Sequence, residues 1–398
     1  MTVSHLCLVL MLLGSVTAVA SPTEDMEALY QAGKYAEATT VARQILKDRI
    51  AEVGEVHLDV AQGHSDLALL LRAQGEYAAA LEPAHRAVQI REEIQGPDHV
   101  DVGWALNAVA QIQSYNRQYP ESLEAAERSV RILEAALGPD SHDVAAALSP
   151  VATAYRWMGD YERARPIYER SLAILEGVMG PEHREVSAAL NNLAGLLRAM
   201  GEYDDALPIY RRALAIKEAG GVEDESLATS LNNLAEILRE RGEFDEAKPL
   251  YERTLEIWER TLGPEHPDVA LVLNNLGLLL DQSGDYRAAE PHYERALTIY
   301  EAALGSDHPS VAMTLDNLGA LHGNLGDFAG ARSRHERALH IYEAALGPDH
   351  PIVATVLSNL ADTIWLQGDY RSARPLHDRA CASGRTPWGP IIPTCPSA

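Results

Sequence analysis

The sequence predicts an all-α solenoid of about nine stacked helix-turn-helix repeats, and three observations carry that prediction. The clause GPEHPDVALVLNNLG at residues 263–277 returns as GSDHPSVAMTLDNLG at 305–319 and as GPDHPIVATVLSNLA at 347–361. A Gly-acid-aromatic triplet begins at Gly75, Gly159, Gly201, Gly242, Gly284, Gly326 and Gly368. Degenerate copies stand in register at Gly33 and Arg117, and the step is 42 residues everywhere except one of 41. Apolar residues recur at helical spacing in both halves of each unit. Self-similarity at such a period marks units that stack along one axis and bury a continuous core between neighbours.

Residues 1–20 stand apart from the repeats. HLCLVLMLLGSV is an apolar run too short to span a bilayer, followed by the small-residue segment Ala18–Ala20 and then by polar sequence. That order predicts a secretory signal peptide cleaved near Ala20, hence a periplasmic or secreted protein. Cys7 lies at the start of the apolar run and not after it, so it does not read as a lipoprotein signal. No later stretch is long and apolar enough to be a membrane span.

Residues 21–382 form the predicted solenoid. In the first helix of one unit, Val269, Leu273, Leu276 and Leu280 make an apolar stripe spaced 4, 3 and 4. Pro267 suits the first helical position and Asp268 the positive helix N-terminus. Gly284 fits a left-handed helix end, and Asp285 can cap the next helix. There Ala289, Tyr293, Ala296 and Tyr300 repeat the 4, 3, 4 spacing, and Gly305 closes the unit. Gly277, Gly319 and Ala361 share a place where helices must approach closely. Pro166, Pro208, Pro249, Pro291 and Pro375 fall past the first turn of second helices, where they are expected to bend them. The step of 41 falls in KEAGGVEDESLATS, residues 217–230, and predicts a local change of pitch.

Residues 383–398 are a proline-rich tail. Trp388, Ile391 and Ile392 are expected to fold back and cap the apolar end of the last repeat. Cys381 and Cys395, the even pair left after cleavage, are expected to close the tail as a disulfide in an oxidising compartment. Two free thiols on a disordered tail are the alternative.

At LNNLGLLLDQSGDYRAAEPHYERALTIYEAALG, residues 273–305, the chain resembles the 42-residue tetratricopeptide repeats of kinesin light chains and their bacterial relatives. Gly277, the GDY triplet, Ala289, Tyr293 and Ala296 match that family's pattern, and the likeness runs over about residues 24–382. It implies a right-handed superhelix with first helices lining the concave side. It says less about function, because such repeats serve many partners. The coiled-coil region of kinesin light chains has no counterpart in this sequence.

Composition narrows the partners. With 46% hydrophobic and 23% charged residues and a net charge of −25, the chain suits a globular or repeat protein that repels nucleic acid and anionic membranes. No nucleophile elbow, phosphate loop or dinucleotide fingerprint is present, so no enzyme activity and no cofactor are expected. His57, His99, His183, His266, His308 and His350 share one loop position. Adjacent copies lie about 10 Å apart, too far to share a zinc ion bound at about 2 Å. They are read as turn-tying residues, not metal ligands. His335, His340 and His377 in second helices get the same reading.

Function must therefore lie on the surface the repeats present. Asn192, Asn233, Asn275, Asn317 and Asn359 recur on the non-core face of five consecutive first helices. Asn191, Asn232 and Asn274 precede three of them, and upstream the row fails at Asp66, Ala108 and Pro150. Asn is a mediocre helix former, so its recurrence needs a reason. Its amide both donates and accepts, and can bracket a peptide unit. A repeat step of about 10 Å matches about three residues of extended chain. Alternatively, each Asn holds one repeat to the next. A second row includes Arg156, Arg198 and Arg239, which can grip carboxylates, or else form salt bridges with neighbours such as Glu202 and Glu240. The family resemblance implies that Asn at this place contacts the backbone of bound peptides, and that acidic peptides are a ligand class. The sequence thus predicts a non-enzymatic scaffold that binds an extended, acidic peptide segment of a protein partner in its concave groove. A self-associating structural solenoid is the alternative.

Overall fold

The loop sequences explain where each helix starts and stops. His57, His99, His183, His266, His308 and His350 each stand immediately before a first helix and accept a backbone N–H through Nδ1, at 3.1–3.3 Å. A side-chain acceptor there satisfies one of the orphan donors of the first turn. At the irregular joint Asp224 takes over, its carboxylate accepting from the Leu227 N–H. First helices end at a left-handed glycine such as Gly284, φ 88°. The degenerate copy Arg117 adopts the same conformation, φ 60°, without being glycine. Asp285 and Asp327 cap the second helices that follow them.

The structure, a computed structural model, describes residues 21–383, 385–386 and 389–390. The expected signal peptide lies outside them, as do Trp388, Ile391, Ile392 and Cys395 of the expected tail cap. The chain divides into two compact units, Met1–Met179 and Gly180–Ala398. The first contains α1 (Pro22–Gln31), α2 (Tyr35–Val53), α3 (Leu58–Ala73), α4 (Tyr77–Gln95), α5 (Val100–Tyr115), α6 (Tyr119–Leu137), α7 (His142–Trp157) and α8 (Tyr161–Met179). The second contains α9 (Arg184–Ala199), α10 (Tyr203–Ala219), α11 (Glu225–Glu240), α12 (Phe244–Thr261), α13 (Pro267–Gln282) and α14 (Tyr286–Leu304). It continues with α15 (Pro309–Asn324), α16 (Phe328–Leu346), α17 (Pro351–Leu366) and α18 (Tyr370–Ser383). Two-residue strands β1 (Arg385–Thr386) and β2 (Gly389–Pro390) pair antiparallel after the last helix. The tail sequence thus stops the helix, as its prolines require.

Within each unit, each odd helix packs on its own even partner and each even helix on the odd helix that follows, as α13 does on α14, and α14 on α15. In the second unit, successive odd helices also touch one another, so they form a continuous face. The predicted stripes are the core: Val269, Leu273, Leu276, Ala289, Tyr293 and Ala296 are all buried. Gly277 is small because a Cβ there would stand 2.9 Å from the Tyr293 ring, and at Gly319 it would stand 2.5 Å from His335. Pro166, Pro208, Pro249, Pro291 and Pro375 sit inside second helices that run on through them.

The even helices carry a ladder that the reading of the sequence passed over. Arg295 pairs with Glu259 of the preceding even helix at 2.7 Å and donates to the Pro264 carbonyl of the intervening loop. Arg128, Arg170 and Arg337 repeat both contacts, with Glu92, Glu134 and Glu301 and with the loop carbonyls of Pro97, Pro139 and Ser306.

The odd-helix face as candidate functional site

The five asparagines lie half-buried on the odd helices of the second unit, but they do not all do the same thing. Asn275 donates to Asn232 Oδ1 at 3.1 Å and to Glu236 Oε1 at 3.2 Å, both on the preceding odd helix. Asn317 donates to Asn274 Oδ1 at 3.0 Å, and Asn359 to Asp316 Oδ2 at 3.0 Å. Three members of the row therefore brace one repeat against the one before it. Asn192 and Asn233 have no hydrogen-bond partner among the described residues. At the preceding position Asn191 donates to Ser230 Oγ of the following repeat at 2.9 Å, while Asn232 donates to Glu236 Oε1 of its own helix at 3.1 Å.

The arginine row is largely engaged. Arg198 meets Glu236 at 2.6 Å and Glu240 at 3.0 Å, both on α11. Burial works against its charge, and the two carboxylates outweigh burial, so its pKa lies above the usual guanidinium value. Arg239 donates to Gln282 Oε1 at 2.9 Å and lies 3.7 Å from Glu240, while its buried Nε has no partner. In the first unit the Arg156 guanidinium lies 5.3 Å from the Trp157 ring centroid. Of the two acidic neighbours expected from sequence, Glu240 is a partner of Arg198.

The face changes character along α13, α15 and α17. Asp281 accepts from Asn324 Nδ2 at 3.1 Å, and burial pushes its carboxyl above the usual carboxylate range. Asp316 is held between Asn359 and His335, whose Nδ1 is 2.7 Å away and whose ring is fully buried in the place tyrosine holds at Tyr251 and Tyr293. Asp362 is exposed and lies 3.3 Å from His377. Trp365 and Leu366 end the face in the open, with Tyr370 edge-on to Trp365 at 4.5 Å. The His335–Asp316 pair escaped the sequence reading, although His in a tyrosine column opposite a new Asp was visible. Cys381, at the end of α18, is disulfide-bonded. Among the described residues, no group of three or more His, Cys, Asp or Glu side chains could hold a metal ion, and no helix is long and apolar enough to cross a membrane.

The repeats and their face define a class. The tetratricopeptide repeat profile matches residues 59–135, 143–219, 226–302, 286–344 and 310–385, and the chain belongs to that family. No curated protein matches the chain. Among solved structures it is similar to BtubC from P. vanneervenii, at 26% identity over 57% of this chain and 94% of that one, TM-score 0.48. It is similar to the repeats of a putative kinesin light chain from Podosopora anserina, at 24% identity over 50% and 95%, TM-score 0.44. It is also similar to a Rap protein complexed with Competence and Sporulation Factor, at 14% identity over 91% and 96%, TM-score 0.56. At that identity the Rap likeness speaks to fold alone.

Proposed function

We propose that the chain is a non-enzymatic protein-interaction scaffold that takes an extended segment of a partner protein along α9 to α17. The observation that carries this is Asn233. It is, like Asn192, a half-buried amide with no partner among the described residues, in a row where Asn275, Asn317 and Asn359 spend their N–H groups on bracing. Such an amide can donate to and accept from one peptide unit of a ligand. The solved Rap structure, where a protein of this fold is complexed with a factor, is in keeping with the reading.

An acidic side chain of the segment would bind at Arg198 and Arg239, in the last turns of α9 and α11. It would have to displace Glu240 or Gln282, so its gain is small and sensitive to salt. Arg156 offers a similar contact in the first unit. Export with cleavage near Ala20, into the periplasm or the medium, and a Cys381–Cys395 bond rest on the sequence reasons given above. Self-association is the second reading, favoured by the exposed neighbours Trp157 and Met158.

The test compares Asn233→Ala with Asn275→Ala in pull-downs from a periplasmic or culture extract. Asn233→Ala should keep the melting temperature and weaken capture of the same partner. Unchanged capture by a folded Asn233→Ala protein would remove the groove.

A further inference from the structure

The hydrogen bonds of the asparagine row run in one direction. Asn275, Asn317 and Asn359 spend amide hydrogens on the preceding repeat, and their amide oxygens accept nothing within the described residues. What this part of the row holds out is mainly acceptors. A ligand that satisfies acceptors must bring N–H groups.

Charge points the same way. The helices α13, α15 and α17 contain no Lys or Arg at all. Their open face nevertheless carries Asp281, Asp316 and Asp362. Asp281 is the informative one, because among the described residues its only hydrogen-bond partner is the neutral amide of Asn324. Burial raises its pKa, and among the described residues it forms no ion pair, the nearby Arg239 being engaged with Gln282 and Glu240. On α9 and α11 the reverse holds, where Arg198 meets two carboxylates of the next repeat and Arg239 meets that of the adjacent Glu240. The uncompensated charge on this face is thus negative. A separate observation lies beneath it. The Tyr293 hydroxyl is fully buried, has no hydrogen-bond partner among the described residues, and feels the Asp281 carboxylate more than the opposing Arg239 guanidinium. A half-buried carboxylate beside an unsatisfied hydroxyl is a polar site short of a partner. At the end of the row, exposed Trp365 offers an aromatic surface of the kind on which cations settle.

We propose that the face of α13, α15 and α17 receives the lysine- or arginine-bearing part of the partner segment, one cation going to Asp281 and another to Asp362 and Trp365. The proposal rests on the groove reading and adds polarity to it. Any acidic part of the segment lies over α9 and α11, and the basic part over α13 to α17.

The test uses three fluorescently labelled extended peptides of equal length, rich in Ser and Gly and carrying respectively two Lys, two Glu or no charge. Anisotropy is read against full-length protein. A chain of charge −25 attracts any cation, so a control is needed. Asp281→Asn with Asp362→Asn is compared with Glu252→Gln with Glu256→Gln, which removes the same charge from α12. The lysine peptide should bind most tightly. The α13/α17 pair should weaken it by about tenfold, the Coulomb share of two partly screened carboxylates, and the α12 pair should not. An equal loss from both pairs, or no binding of the lysine peptide, would overturn the proposal. Tighter binding of the glutamate peptide, itself weakened by Asn233→Ala, would overturn the polarity while leaving the groove. Peptide binding indifferent to Asn233→Ala and to the Asp pair would overturn both.

Discussion

Asn233 and Asn275 occupy equivalent places one repeat apart, and their neighbours give them different work. Removing the Asn275 amide strips donors from Asn232 Oδ1 and Glu236 Oε1. The expected cost of Asn275→Ala is about 1–3 kcal/mol, read as a shift in the urea midpoint. Asn233→Ala should stay within about 0.5 kcal/mol. Arg117 offers the opposite case. It holds φ 60° where the other eight triplets have glycine. Because the left-handed conformation costs a residue with a Cβ about 1 kcal/mol, Arg117→Gly should stabilise the protein by that order in the same assay. Asp281 gives a pH signature. Its folded pKa is raised, so its ionised form is disfavoured by folding. The destabilisation is present above the folded pKa and disappears as pH falls through the carboxylate range. Asp281→Asn should therefore gain stability over the parent at neutral pH, with the gain vanishing on acidification. A gain independent of pH would contradict this. The sequence made the Asn row legible because it recurs every 42 residues. It could not say which amides are spent, since that depends on whether the side chain opposite in the preceding repeat is free to accept, and on how the two helices meet.

Helix boundaries were legible because each is signalled locally. His before a first helix, Gly after it, and the 4, 3, 4 apolar spacing between them need no tertiary knowledge. The ladder on the even helices was not. Arg295 and Glu259 both recur at the repeat step, yet a charged residue on an outward helix face looks the same whether it is solvated or paired. The pairing appears only when two even helices and the loop between them are set side by side. Each exposed ion pair is worth at most about 1 kcal/mol, but Arg295 and Arg337 also hold a loop carbonyl. Arg295→Ala should cost roughly 1 kcal/mol. Hydrogen exchange should quicken in the 263–266 loop, and unchanged exchange there would show that the loop does not depend on the arginine.

At the scale of the molecule, the repeat step fixes the architecture and leaves recognition to residues that differ between copies. The fold followed from periodicity alone. The face did not, because a row of like residues conceals a change from compensated arginines to uncompensated carboxylates along α9 to α17. The tail belongs to this scale too. A bond from Cys381 to Cys395 would close a loop of 15 residues and contribute up to about 3 kcal/mol. Peptide mapping without reductant should recover the two as one linked peptide, and a different linkage would remove the clamp. The central claim is that an extended partner segment lies along the odd helices of the second unit. Its most direct test is site-specific photo-crosslinking in cells, with the crosslinking residue placed at position 233 on the odd-helix face or at position 256 on the even helices. The account predicts crosslinks from position 233 to one short stretch of a partner protein, and none from position 256. Crosslinks from position 256 alone, or from position 233 only to another copy of this chain, would contradict it.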